Sequence, residues 1–176
     1  HCCAGRTAQF RAGLVHATLR LQSFHLRSTL LHFRSHPLPL RLRLLSAPDG
    51  LAELQVSDAP ELTTEPWDVP VDVEPVPGGH EFLFHKTTVR EVYDNARSRF
   101  PGAPDVLLWN ELGELTAPPI GNLVLDLDGR LVTPPVACGL LPGTFRAQLL
   151  EDGTVVEQVV PRSDLARACL LYTSPR

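Results

Sequence analysis

The residues with chemical potential cluster between Phe84 and Arg146. Lys86 is the single lysine of a chain whose other fifteen basic residues are arginines. It stands in the run His85-Lys86-Thr87-Thr88, ahead of a helical pattern. A lysine amine attacks carbonyl carbon once desolvation or a neighbouring cation depresses its pKa. The positive end of a nearby helix, if aimed at the amine, favours the neutral form. Taken alone, a lone lysine is more often a solvated surface charge. The second element is Gly139-Leu140-Leu141-Pro142-Gly143-Thr144-Phe145-Arg146. A glycine turn feeding a helix start presents unpaired amides that bind phosphate, although an ordinary loop-to-helix junction reads the same way.

The surrounding pattern predicts the elements that must hold these groups. Leu40 to Leu44 alternates apolar and basic residues, as a half-buried strand does. Pro48-Asp49-Gly50 is a turn signal, and Leu51 to Val56 returns as the second strand of a hairpin. Residues 57–81 are acidic and proline-rich and read as an extended connector with a short strand at Val69–Val73. Phe82 to Lys86 leads into a helix. Thr88 and Glu91 have capping-box spacing there, and Val89, Val92, Tyr93, Ala96 and Phe100 recur at helical intervals. Pro101-Gly102 ends that helix. Asp105 to Asn110 reads as a buried strand, followed by a turn at Gly113. Leu123–Asp126 and Arg130–Thr133 form a hairpin around Asp128-Gly129. A short helix is predicted over Thr144–Leu150, a strand over Thr154–Val160, and a last helix over Asp164–Ala168, capped by Ser163.

Totals narrow the classes. The 176 residues suit one domain or slightly more, and 43% hydrophobic content suffices for a core. Apolar runs are too short to span a membrane. There is no methionine, which points to processing or to a fragment of a longer reading frame. The net charge of −4 divides unevenly: residues 1–50 carry a formal +6 and the remainder a formal −10. The basic part is rich in leucine and has no lysine, unlike a disordered nucleic-acid arm. Two readings of residues 1–37 compete, a basic amphipathic helix and translation out of frame, and the drifting apolar period favours the second. Cys2, Cys3, Cys138 and Cys169 do not fit a zinc motif or a disulfide framework, so reduced thiols and a cytoplasmic setting are expected.

Taken together, in this order, the motifs resemble the C-terminal half of the fold-type IV pyridoxal-phosphate enzymes, the aminotransferase class IV family. Within it they are most similar to the aminodeoxychorismate lyases, in the form fused behind aminodeoxychorismate synthase component I. The residues that carry the resemblance are His85 to Thr88 with Arg90 and Tyr93, Asp105 to Glu111, Gly113 to Thr116, Ile120 to Val124, Thr133-Pro134-Pro135, and Gly139 to Arg146. The resemblance implies an α+β fold, truncated relative to the family. It divides the chain into an unassigned basic segment (1–37), a hairpin and connector (38–81), an incomplete cofactor-binding domain (82–168) and a foreign tail (169–176). It also implies pyridoxal 5'-phosphate as cofactor and Lys86 as the catalytic lysine that holds the cofactor aldehyde and then serves as base and acid. Leu141 would pack on the ring. Thr144 and Phe145, after Gly143, would give their amides to the phosphate, and Asn122 would be structural near the ring. The implied reaction releases pyruvate from aminodeoxychorismate and leaves p-aminobenzoate. A homodimer, and a fused or partner synthase, are implied, with no nucleic acid and no membrane.

The pattern departs from the family in three places. The family has a glutamate after the threonine equivalent to Thr116, where it keeps the ring nitrogen protonated; here Ala117 stands, followed by Pro118-Pro119. Glu114 could take its place only if a strand bent. The N-terminal domain is not recognisable in residues 1–37, and the tail does not continue the family pattern. Two rivals to the lyase therefore stand: a branched-chain or D-amino-acid aminotransferase of the same fold, and a catalytically dead or truncated domain.

Overall fold

A computed structural model describes residues 40–58 and 68–175, and of residues 169–175 the backbone alone. The basic segment 1–37, with Cys2 and Cys3, lies outside the described residues. The chain divides into two compact units, one holding residues 40–58 and the other residues 68–175.

The first unit is a hairpin. β1 (Leu40–Ser46) pairs antiparallel with β2 (Ala52–Asp58), with Leu42 opposite Val56 and Leu44 opposite Leu54. The turn forms as its residues dictate: Gly50 takes φ +82°, and the Leu51 amide donates to Asp49 Oδ1 at 3.0 Å. The alternation places Leu40, Leu42 and Leu44 on one face, but Leu42 and Leu44 remain about half exposed, at 51% and 52%. The half-burial expected from the alternation is therefore only partly met.

The second unit centres on a four-stranded sheet of order β5-β4-β3-β6. β3 (Gly121–Leu127) pairs antiparallel with β4 (Arg130–Thr133) and with β6 (Ala168–Pro175). β5, reduced to Val156–Glu157, pairs parallel with β4. The β3–β4 turn puts both Asp128 (φ +55°) and Gly129 (φ +89°) in the left-handed region, the twist a two-residue hairpin needs. Of the segment 169–176 expected to be a foreign tail, the described residues 169–175 pair along β3 as part of β6.

Alternation along β3 splits the core between its two faces. Leu123 and Leu125 join Leu107, Leu115, Val132 and Val160 on one face. Val124 meets Leu149 and Val155 on the other, with Leu131 and Phe145 packed alongside. Each fully buried Leu contributes roughly 1.5–3 kcal/mol of transfer free energy. A further cluster joins Val76, Leu83, Tyr93, Ala96, Val106 and Leu108.

The expected strand at Asp105–Asn110 is buried but irregular. Its contacts are single bridges, Val71 to Leu107 and Val76 to Asn110, both parallel. The segment alongside it carries Pro70, Pro75 and Pro77, which have no N–H to donate, so a continuous ladder cannot form. These contacts tie residues 68–81 to the domain that follows: Asp72 N donates to Leu107 O and Val76 N to Trp109 O. Residues 108–110 and 114–116 fold back on each other around Gly113, which takes φ +76°.

Among the described residues two short α-helices form: α1 spans Glu91–Ser98 and α2 spans Thr144–Glu151. The capping box expected at Thr88 does not form. α1 begins three residues later with Arg90 as an N-cap that makes no side-chain cap bond, because Thr87 Oγ1 takes the Val89 amide and turns the chain first. The last predicted helix is a 3-10 segment, Arg162–Arg167, preceded by Pro161 rather than capped by Ser163.

Candidate cofactor site

The candidate site centres on the N-terminus of α2. Gly143 is its N-cap, in extended conformation and with no side-chain cap bond. The first-turn amides of Thr144 and Phe145 therefore have no capping side chain, and they carry the positive end of the helix dipole.

The approach to this turn is fixed by Asn122, which is buried on β3. Its Nδ2 donates to Leu141 O at 2.8 Å, and its Oδ1 accepts the Gly143 amide at 3.0 Å. One side chain thus grips the turn on both sides of Pro142. Leu141 is half-buried, and Thr144 is exposed.

Behind the turn, Gly139 packs on Gly78. Gly139 takes φ +91°, and a Cβ there would fall 2.7 Å from Gly78 O. Asn110 Nδ2 adds a bond to Cys138 O at 3.2 Å. Val136–Cys138, a single 3-10 turn, is thereby set against residues 78 and 110 before the chain reaches Leu141.

Arg146, the third residue of α2, is 3% exposed. Its Nε donates to Thr133 Oγ1 at 3.3 Å, and its Nη2 donates to Pro134 O at 2.8 Å and to Glu157 Oε1 at 2.6 Å. Thr133 Oγ1 in turn donates to Leu123 O at 2.7 Å. Sequence reasoning assigned Arg146 to the motif but gave it no partner, because its partners lie 11 to 13 residues away along the chain.

Lys86 is exposed, on the loop between the 3-10 turn Glu81–Leu83 and α1. Arg90 anchors that loop: its Nη2 donates to Pro119 O at 3.1 Å, and its guanidinium lies 5.0 Å from the centre of the Tyr93 ring. Pro119 leads into β3 and Asn122, so Arg90 links the loop that carries Lys86 to the strand that carries Asn122. A cavity of about 350 Å³ flanks the loop, lined by His80, Phe82, Val89 and Tyr93 among others; none of Asn122, Leu141, Gly143, Thr144 and Phe145 lines it.

Ala117 is 2% exposed, in an extended stretch with buried Thr116 and Pro118 as neighbours. Glu114 is occupied elsewhere. Its Oε2 accepts Asn110 Nδ2 at 2.8 Å, and its carboxylate faces Cys138. Burial first, and then hydrogen bonding to Glu114, push the Cys138 thiol up to about 12. Among the described residues there is no cluster of His, Cys, Asp and Glu able to hold a metal ion, and no helix long and apolar enough to cross a membrane.

The family model of the amino-transferase class IV proteins matches residues 65–174. A curated Schizosaccharomyces pombe protein named "Putative aminodeoxychorismate lyase" is 31% identical over 122 residues, covering 66% of this chain and 53% of that protein. The chain thus spans about half the length of the curated relative it matches. Among solved structures, a "Putative amino-acid aminotransferase" from Mesorhizobium loti superposes with a TM-score of 0.75 at 32% identity, over 84% of this chain and 74% of that one. A "Putative 4-amino-4-deoxychorismate lyase" from Legionella pneumophila superposes with a TM-score of 0.68 at 18% identity, over 85% and 62%. At that identity the likeness shows the fold alone. The match of the family model to more than half of the sequence, over the α+β unit built around Asn122 and α2, makes this chain a member of the amino-transferase class IV family.

Proposed function

We propose that the chain is the cofactor-holding part of a pyridoxal 5'-phosphate-dependent lyase that converts 4-amino-4-deoxychorismate to p-aminobenzoate and pyruvate. Members of the family depend on this cofactor. The observation that carries the reading is the helix start at Thr144, left without a side-chain cap and held by Asn122 and Arg146. A preorganised pair of amides at a helix N-terminus suits a phosphate.

When bound, pyridoxal phosphate supplies an aldehyde that condenses with amines and a ring that accepts electron density. The uncapped helix start suits its phosphate, and Lys86 is the amine that would meet its aldehyde. Thr144 N and Phe145 N would donate to phosphate oxygens, and Leu141 would offer an apolar surface to the ring. Lys86 Nζ would hold the aldehyde and, once released, move a proton at the substrate carbon. At the ring nitrogen the fit is weaker, because Ala117 supplies no carboxylate. The chain's own contribution to charge stabilisation is smaller there by on the order of several kcal/mol.

The S. pombe relative favours the lyase. The M. loti structure, at 32% identity, favours an aminotransferase of the same fold as the second reading. The two separate in one assay of the protein loaded with cofactor. Pyruvate and p-aminobenzoate released from aminodeoxychorismate without a keto-acid acceptor mark the lyase. Amino transfer to a branched-chain keto acid without pyruvate release marks the aminotransferase. Neither product, in protein that binds the cofactor, would leave a catalytically dead domain.

A further inference from the structure

Only two of the eight residues of α2 are buried, Arg146 and Leu149. Apolar packing through Leu149 and the half-buried Phe145 covers one side of this short helix, and polar bonds fix its direction. Those bonds form a closed circuit. Asn122 holds Gly143, the peptide carbonyl of its neighbour Leu123 accepts Thr133 Oγ1, Thr133 Oγ1 accepts Arg146 Nε, and Arg146 returns along the first turn of α2 to Gly143. Pro134 O and Glu157 Oε1 complete the arginine's partners. A guanidinium is suited to this role because its rigid fork serves three acceptors at once. Every one of these acceptors lies on β4, β5 or the residue after β4.

We infer that Arg146 is a positioning residue for phosphate: it locks the first turn of α2 so that the Thr144 and Phe145 amides converge on a phosphomonoester without themselves reorganising. The inference rests on the cofactor reading above and deepens it. Arg146 acts through the helix, its guanidinium held by Thr133, Pro134 O and Glu157, with Glu157 at the half-exposed end of the circuit.

The test compares pyridoxal phosphate with pyridoxal, which has the same aldehyde and ring but no phosphate. Both are titrated by absorbance into the wild-type protein and into Arg146→Met, Arg146→Lys and Glu157→Gln, with thermal melting alongside. The expected result is a fall in pyridoxal-phosphate affinity of roughly 10- to 100-fold in Arg146→Met, the scale for losing a ligand's outer support. Affinity for pyridoxal stays unchanged. Arg146→Lys recovers part of the loss, because it keeps the charge but not the fork. If Arg146→Met does not fold, Glu157→Gln carries the test with a several-fold drop in the same ratio. Equal weakening toward both ligands, or a ratio unchanged from wild type, overturns the inference and leaves the cofactor reading standing. A wild-type protein with no preference for the phosphorylated ligand overturns both.

Discussion

Asn122 and Gly143 are joined by a buried hydrogen bond of 3.0 Å, and the same asparagine side chain holds Leu141 O at 2.8 Å. Asn122→Ala removes a partner from two backbone groups at once. Leaving each buried group unpaired costs about 1–3 kcal/mol. The expected loss is therefore about 2–6 kcal/mol where the turn stays dry, and Asn122→Asp, which keeps the acceptor for Gly143 but turns a buried carboxylate oxygen onto Leu141 O, is destabilised as well. Urea denaturation followed by Trp109 fluorescence measures both. A loss under about 0.5 kcal/mol in the alanine variant, the range of ordinary surface changes, would show that Asn122 does not hold the turn.

Gly139→Ala meets two penalties together. The residue takes φ +91°, and its new Cβ would be driven to 2.7 Å from Gly78 O. The left-handed conformation alone costs about 1–2 kcal/mol for a residue with a Cβ. The clash is with backbone, which cannot swing aside. Gly129→Ala makes a useful comparison, because that glycine also has positive φ (+89°) but open space around it. The expectation is that Gly139→Ala lowers the melting temperature clearly more than Gly129→Ala. Equal shifts would remove the close approach to Gly78 from the account.

Ala117→Glu places a carboxylate at a position that is 2% exposed. Without cofactor an unpaired buried carboxylate is penalised, so the variant melts below wild type. With pyridoxal phosphate the carboxylate gains the ring nitrogen as partner. Melting should then rise more on adding cofactor in the variant than in wild type, and lyase turnover should increase by on the order of a hundredfold. A variant that responds to cofactor as wild type does would mean that residue 117 does not face the ring.

Cys138 is buried, and that burial, with Glu114 beside it, pushes its thiol up to about 12 from its ordinary 9.0. The raised folded-state pKa means that the native state favours the protonated thiol. The associated stability is complete below pH 9 and is lost as the pH rises from there toward 12. At pH 8 the folded protein should leave the Cys138 peptide unlabelled by a thiol reagent, with labelling on denaturation. Cys138→Ser should flatten part of the alkaline loss of stability. Rapid labelling of the native peptide at pH 8 would contradict the burial.

Local signals are legible in this sequence, and non-local ones are not. Asp128-Gly129 and Pro48-Asp49-Gly50 specify their turns through backbone conformation at the same residues, so both hairpins were legible. α2 was legible because Pro142-Gly143 ends one conformation where the next begins. The start of α1 was misplaced because two adjacent threonines compete, and Thr87 captures the Val89 amide that a cap at Thr88 would have left for the helix. The broken strand at Asp105–Asn110 depended on prolines in the segment beside it rather than on its own residues. At the site, the motif named Asn122, Gly143 and Arg146. What it could not give was the circuit through Thr133, Leu123 and Glu157, since hydrogen bonds across two strands and a helix leave no period in the sequence.

The central claim, that this unit holds pyridoxal phosphate through Lys86, is tested most directly by borohydride trapping. The folded protein is saturated with pyridoxal phosphate, reduced, digested and mapped by mass spectrometry. The account predicts an irreversible pyridoxyl adduct on the peptide containing Lys86, the chain's single lysine, and its loss in Lys86→Ala. Folded, saturated protein with no adduct at Lys86, or with the adduct on another peptide, would contradict it.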